Sequence, residues 1–259
     1  MTPQPFTIGD TTGTIVGNGP TLVFCHGFTT TSQFWREQIP AFSNRYRMIL
    51  IDLPGHGKSP APTMRDYSMD SYTADLELIF AALQVRDAVL IGLSMGGTIA
   101  QQFAATNAAR LKGLVLVGAT SHGLGPAVQA GAVLKNIESL GVEAASQQVI
   151  EKSFGAGASR ELIDFARAEV VQTPVGVARA AITSLNRADS RRLLHTLRMP
   201  TLVVCGVDDA ITPPNESVAL SAAIPNAELC LIAGAGHFPM LEKPQQFNEA
   251  LADFLGSIP

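Results

Sequence analysis

The sequence predicts an α/β protein, a mostly parallel central sheet flanked by helices and interrupted by a helical cap. Three observations predict it. Short apolar, β-rich runs recur at residues 21–25, 46–52, 88–93, 114–118, 201–205 and 228–232, near-continuous as in parallel strands covered on both faces. Helical patterns lie between most of them, and strand–helix alternation builds a doubly wound sheet. From about Thr120 to Arg198 the alternation stops and only helical patterns follow, as an insertion over a sheet would read.

Taken in order, residues 6–17 alternate β-type residues with turn glycines and predict an antiparallel hairpin at one edge. The run 21–25 (Thr-Leu-Val-Phe-Cys) ends at His26-Gly27, and 46–52 ends at Leu53-Pro54-Gly55. Residues 71–84 carry Leu76, Ile79, Phe80 and Leu83 on one helical face; 95–105 carry Met95, Ile99 and Phe103 four apart; 244–255 carry Phe247, Leu251 and Phe254. The insertion shows helical patterns at 128–140, 142–153, 160–171 and 175–185, punctuated by Gly155, Gly157 and Pro174. Residues 1–119 and 199–259 are therefore expected to form the core and 120–198 the cap.

Composition narrows the function. Lys and Arg number 18 against 22 Asp and Glu, so no basic surplus favours nucleic acid. Charged residues are 15% of the 259, against about 25% in ordinary globular domains. The deficit leaves two charge-free stretches, 88–109 and 113–134, each about the roughly 20 residues that cross a bilayer. Both are too rich in Gly, Gln, Thr and Ser, with Asn107 in the first and His122 and Pro126 in the second, to read as spans. No basic start precedes an apolar run in residues 1–10, so no secretory signal is expected. Three scattered cysteines (Cys25, Cys205, Cys230) make neither a disulfide framework nor a zinc site. Cys25 and Cys205 read as buried small hydrophobes, and a reducing cytoplasm is the expected compartment.

The strongest local signal is Gly92-Leu93-Ser94-Met95-Gly96-Gly97, between a strand and a helix. G-x-S-x-G in that context is a nucleophile elbow, a sharp turn that lifts the serine Oγ clear of the sheet. The flanking glycines allow close strand–helix packing, and the helix N-terminus favours developing negative charge. A hydroxyl nucleophile needs a base, and the base an orienting acid. His237, in the glycine-rich loop after the last strand, lies where open α/β sheets bind ligands. His26 and His56 also follow strands and read as loop anchors. His122 and His195 belong to the insertion and its exit and read as solvated or cap residues, His122 being the one placed to face the site. Asp208 and Asp209 follow the 201–205 strand; one is expected to accept the imidazole N–H and the other to cap the loop or next helix, and position alone does not separate them. Oxyanion donors are expected from the Met95 N–H and, in the loop His26-Gly27-Phe28, the Phe28 N–H. Substrate contacts are expected from Gly27, Trp35, His122 and Phe238, although Trp35 has core packing as its commoner role.

His26-Gly27-Phe28, the run Asp52-Leu53-Pro54-Gly55-His56-Gly57-Lys58-Ser59, the Ser94 elbow, Asp209 with Thr212-Pro213, and Gly236-His237 together resemble the α/β-hydrolase superfamily, in order along nearly the whole chain. The elbow and the Asp-Asp-x-x-Thr-Pro-Pro run look most like 3-oxoadipate enol-lactonases and their esterase neighbours. The resemblance implies Asp209, not Asp208, at the acid position, and a cap that sets substrate choice.

Gly57-Lys58-Ser59 is not a phosphate loop, because position 52 holds Asp where that pattern needs Gly. Asn215-Glu216-Ser217 matches a glycosylation acceptor by chance. The expected function is cofactor-free, metal-free hydrolysis of a small carboxylic ester or lactone by Ser94, His237 and Asp209, in a monomer or homodimer that contacts neither nucleic acid nor membrane. A diketone hydrolase, a haloperoxidase or perhydrolase, and a non-enzymatic receptor share these residues. Epoxide hydrolases and haloalkane dehalogenases need a carboxylate where Ser94 stands.

Overall fold

The structure, a computed structural model, describes residues 2–124 and 129–258. Along the chain run β1 (Gln4–Ile8), β2 (Thr11–Val16), β3 (Thr21–Cys25), α1 (Ile39–Phe42), β4 (Arg47–Asp52), α2 (Met69–Ala82), β5 (Ala88–Leu93), α3 (Met95–Thr106) and β6 (Leu111–Val117). Then come α4 (Ala130–Ser153), α5 (Arg160–Val170), α6 (Val175–Arg187), β7 (Thr201–Gly206), α7 (Pro214–Ala223), β8 (Ala227–Ile232), α8 (Pro239–Glu242) and α9 (Pro244–Ser257). Among the described residues the strands form one eight-stranded sheet in the order β1-β2-β4-β3-β5-β6-β7-β8. β1 and β2 pair antiparallel, β2 runs antiparallel to β4, and the later pairings are parallel. The N-terminal hairpin is thus an edge, as its alternating pattern predicts.

β5 lies inside the sheet with every residue buried. One face is covered by Leu76, Ile79 and Phe80 of α2 with Ile99 and Phe103 of α3. The other is covered by Phe34 and Trp35 with Phe247, Leu251 and Phe254 of α9. Burial on that scale is the main favourable term, about 1.5–3 kcal/mol for each large side chain. Ser68 caps α2 by accepting the Ser71 N–H, and Ser159 caps α5 by accepting that of Leu162, satisfying donors the first turn leaves free. The charge-free stretch 88–109 is β5, the elbow and α3. No described helix is long and apolar enough to cross a membrane.

β8 departs from the expectation of strands covered on both faces. It is last in the sheet order and has only β7 beside it. Leu229 and Leu231 are 37% and 44% exposed, at the edge of the sheet where β7 is the strand's one neighbour. β6 begins at Leu111, three residues before the apolar pattern, and takes in exposed Lys112.

Between β6 and β7 the insertion carries α4, α5 and α6. α4 breaks at Gly141 (φ 78°, ψ 171°), between the two helical patterns read at 128–140 and 142–153. The expected start at Val128, with Gly125 and Pro126, lies outside the described residues. Entry and exit of the insertion are tied together by Gly123 N–H donating to Ala188 O (2.7 Å) and Ser190 N–H to Ser121 O (2.8 Å). Ser184 of α6 accepts the Met69 N–H of α2 (2.9 Å), fixing the insertion to the core.

Candidate active site

Ser94 sits at the turn from β5 into α3 with φ 51° and ψ −114°, a conformation that costs a residue with a Cβ about 1–3 kcal/mol. The surroundings hold it there. Its N–H donates to Val117 O (2.8 Å), and its carbonyl accepts from Gly97 N (2.8 Å) and Thr98 N (3.1 Å). Close approach explains the elbow glycines. A Cβ at Gly96 would stand 2.4 Å from the His26 carbonyl oxygen and 2.5 Å from that of Cys25, and one at Gly92 would meet Gly96 O at 2.4 Å.

The loop after β8 brings buried His237 against Asp209, which follows β7. His237 Nδ1 lies 2.8 Å from Asp209 Oδ2. The same carboxylate accepts the Ile211 and Thr212 N–H groups at Oδ1 (2.8 and 2.9 Å) and the Thr212 hydroxyl at Oδ2 (2.8 Å). Burial alone would raise the Asp209 pKa; the adjacent His237 and the donated hydrogen bonds outweigh it and hold the carboxyl below its usual range. An ionised Asp209 requires the proton on His237 Nδ1, which leaves the Nε2 lone pair free. Asp208 is exposed and only its N–H is used, donating to Ala235 O (2.9 Å), so geometry separates the two aspartates that position left open. Ser94 and His237 line one cavity, with no hydrogen bond between their side chains in this state.

Gly27 and Phe28 line that cavity too. Thr30 Oγ1 accepts the Gly27 N–H (2.8 Å), while neither the Phe28 nor the Met95 N–H donates to a described residue. Two unspent donors beside Ser94 are what an oxyanion site needs. His26 is fully buried; its Nδ1–H donates to Gly27 O (2.8 Å) and its Nε2 accepts the Leu53 N–H (2.9 Å). Burial, only partly opposed by Asp52, lowers its pKa and keeps it neutral. Asp52 accepts the N–H groups of Ser32 (2.7 Å) and Lys58 (3.0 Å), so Gly57-Lys58-Ser59 is a turn wrapped on a carboxylate. His26 thus anchors this loop to the one after β4, whereas His56 Nδ1 reaches only Pro54 O (3.2 Å), two residues away.

The remaining expected contacts divide. Phe238 lines the cavity, packed against the rings of Phe34 and Phe154. Trp35 does not: it is fully buried against Phe24 and Phe247, because its short 3₁₀ turn (Ser32–Trp35) faces the α9 layer. His122 does not either. It sits at the neck of the insertion in an isolated bridge with Asp189, its ring 40% exposed and 4.0 Å from Glu216, over a separate surface depression. The insertion supplies instead Leu124 and Val133, both in the charge-poor start of the cap, with Ile137, Val142, Ile150 and Ile182.

The sequence reading used Thr212 only as part of the motif around Asp209 and missed Glu242 altogether. Thr212 bonds the acid directly. Glu242 of α8 accepts the N–H groups of Gly236 (2.9 Å) and Phe238 (3.2 Å) at Oε1 and of Gly155 (2.7 Å) at Oε2. It thereby clamps both neighbours of His237 to the end of α4, where the His237 N–H also donates to Ser153 O (2.6 Å). Burial pushes the Glu242 carboxyl above its usual pKa, against those three N–H groups. A glutamate five residues after the histidine was its only mark in the sequence. Cys25 and Cys205 are buried, and burial pushes both thiols up to about 12, so they are unreactive packing groups. No cluster of metal-ligating side chains occurs among the described residues.

The chain is 31% identical over 251 residues to the pimeloyl-[acyl-carrier protein] methyl ester esterase of Chromobacterium violaceum, covering 93% of this chain and 96% of that one. It is 29% identical over 250 residues to the esterase of the same name from Aeromonas hydrophila, covering 93% and 97%. The solved enol-lactonase of Burkholderia xenovorans LB400 superposes with a TM-score of 0.90 at 25% identity, covering 98% of this chain and all of that one (100%). A model of the alpha/beta hydrolase family matches residues 22–250. That match spans most of the chain, and the chain belongs to the alpha/beta hydrolase family.

Proposed function

We propose that this chain is a carboxylic ester hydrolase in which Ser94 is the nucleophile, His237 the general base and acid, and Asp209 the group that orients the imidazole. The observation that carries the reading is the 2.8 Å contact of His237 Nδ1 with Asp209 Oδ2 at a cavity shared with the strained Ser94. The names of the relatives, methyl ester esterases and an enol-lactonase, support ester chemistry.

The steps follow from the geometry. Ser94 Oγ adds to the acyl carbon as its proton passes to His237 Nε2. The carbonyl oxygen becomes an oxyanion, held by the Phe28 and Met95 N–H groups. Asp209, already ionised and anchored by Thr212, stabilises the imidazolium without taking its proton. Collapse breaks the C–O bond to the alcohol, which leaves with the proton from Nε2. Water then loses a proton to Nε2 and cleaves the acyl-enzyme, returning Ser94. Removing an oxyanion donor costs about 10²–10³ in rate in such sites, so the His26 anchor that shapes the Gly27-Phe28 turn matters although it touches no substrate.

The test is Ser94→Ala assayed on p-nitrophenyl esters, beside labelling of the wild type with a fluorophosphonate. Expected are loss of ester hydrolysis and a single adduct, at Ser94. Full hydrolysis by Ser94→Ala sinks the assignment.

A further inference from the structure

We propose, resting on the ester-hydrolase reading above, that both substituents of the substrate ester are uncharged, one a hydrocarbon chain held in the large cavity and the other a small group. The cavity beside Ser94 and His237 holds about 810 Å³ of empty space, its open mouth included, and among the described residues no Asp, Glu, Lys or Arg lines it. A second, much smaller space on the Met95 side of Ser94, about 260 Å³ by the same measure, also has no charged residue among its described lining.

The polar side chains of the large cavity are already committed. Thr29 Oγ1 donates to Phe28 O (2.8 Å) and Thr30 Oγ1 to Gly27 O (3.0 Å). Ser146 Oγ donates to Val142 O (2.5 Å) and Ser153 Oγ to Val149 O (2.7 Å), each turned back onto its own helix. Apart from Ser94 and His237, every lining hydroxyl thus spends its proton on the backbone. Among the described residues, none of the buried side-chain atoms that lack a partner belongs to a residue lining the large cavity. The wall is Val133, Ile137, Val142, Ile150, Val170 and Ile182. A carboxylate lodged along this wall, beyond the oxyanion donors beside Ser94, gives up its water and finds among the described residues neither a cation nor a hydroxyl with a proton to spare. A methylene chain loses water and gains contact along its length. The structure therefore disfavours the acid-bearing lactones to which the sequence motifs point.

Two matched pairs of esters test the proposal on the purified full-length chain. On the acid side, p-nitrophenyl hexanoate is compared with the p-nitrophenyl monoester of adipic acid; on the alcohol side, hexyl acetate with 6-acetoxyhexanoate. In both pairs kcat/KM for the carboxylate-ended member is expected to fall at least thirtyfold at pH 8, and capping that carboxylate as its methyl ester to restore most of the loss. A difference under tenfold in either pair overturns the proposal and leaves the ester-hydrolase reading standing, provided turnover depends on Ser94. No Ser94-dependent turnover of the neutral esters overturns that reading and this proposal together.

Discussion

His56 makes the acid sensitivity of this protein calculable. Its ring is 1% exposed, 5.1 Å from the ring of His26. Its Nδ1–H reaches Pro54 O at 3.2 Å, and its Nε2 is buried without a partner. Burial first, and the neighbouring His26 second, lower its pKa to about 3. An unfolded histidine titrates near 6.5. Between those values the unfolded chain binds the extra proton, so stability falls as pH drops through about 6.5 and goes on falling to about 3. At pH 4.5, roughly two units below the unfolded value, the loss is about 2–3 kcal/mol from His56 alone, at about 1.4 kcal/mol per unit. His26, also depressed by burial, adds in the same direction. The assay is urea denaturation at pH 8 and pH 4.5 for the wild type and His56→Gln. The variant starts less stable at pH 8 but is expected to lose about 2–3 kcal/mol less than the wild type between the two pH values. Parallel losses, agreeing within about 0.5 kcal/mol, would show that His56 is not held neutral and refute the argument.

Other expectations come from the elbow, the acid and the clamp. Ser94→Gly should be at least as stable as Ser94→Ala by thermal melting, reversing the usual penalty of about 0.5–1 kcal/mol for glycine, because φ 51° with ψ −114° strains any Cβ; a lower melting temperature for the glycine variant counts against the strain. Asp209→Asn should lower kcat by about 10⁴ with little change in KM, since an amide no longer fixes the proton on Nδ1; steady-state kinetics on a p-nitrophenyl ester decide it. Glu242→Ala strips the partners from three backbone N–H groups and should cost about 2–4 kcal/mol in urea. In its folded fraction kcat should fall more than KM rises, because the loop bearing His237 loses its hold on α4; unchanged kcat would make Glu242 a purely structural clamp.

Much of the fold was legible because its signals are local. Each parallel strand announces itself as a compact apolar run, since both faces are covered. The separate helical patterns at 128–140 and 142–153 marked the break that α4 makes at Gly141. β8 misled, because Leu229 and Leu231 are as apolar as residues of a central strand and only sheet order shows that they stand at an edge, where they are partly exposed. Trp35 and His122 misled for a related reason. Proximity in sequence to the oxyanion loop and the cap says nothing about which way a ring turns, and these turn toward the α9 layer and toward Glu216.

The sequence by itself determined the chemistry that depends on backbone shape. A serine between glycines at a strand–helix turn, and a histidine in a glycine loop after the last strand, are patterns that show within a few residues of sequence, although the close approaches that require Gly96 and Gly236 come from Cys25, His26 and Ser153. Only the tertiary structure decided what depends on direction across the chain. Asp208 and Asp209 are chemically identical neighbours, and the choice follows from one side chain pointing to His237 while the other meets water. The neutrality of the cavity is likewise a property of which faces of α4, α5 and α6 turn inward. Hydroxyls that looked available for a ligand are spent on backbone carbonyls, and a hydrogen bond so committed is invisible until the fold sets its partner.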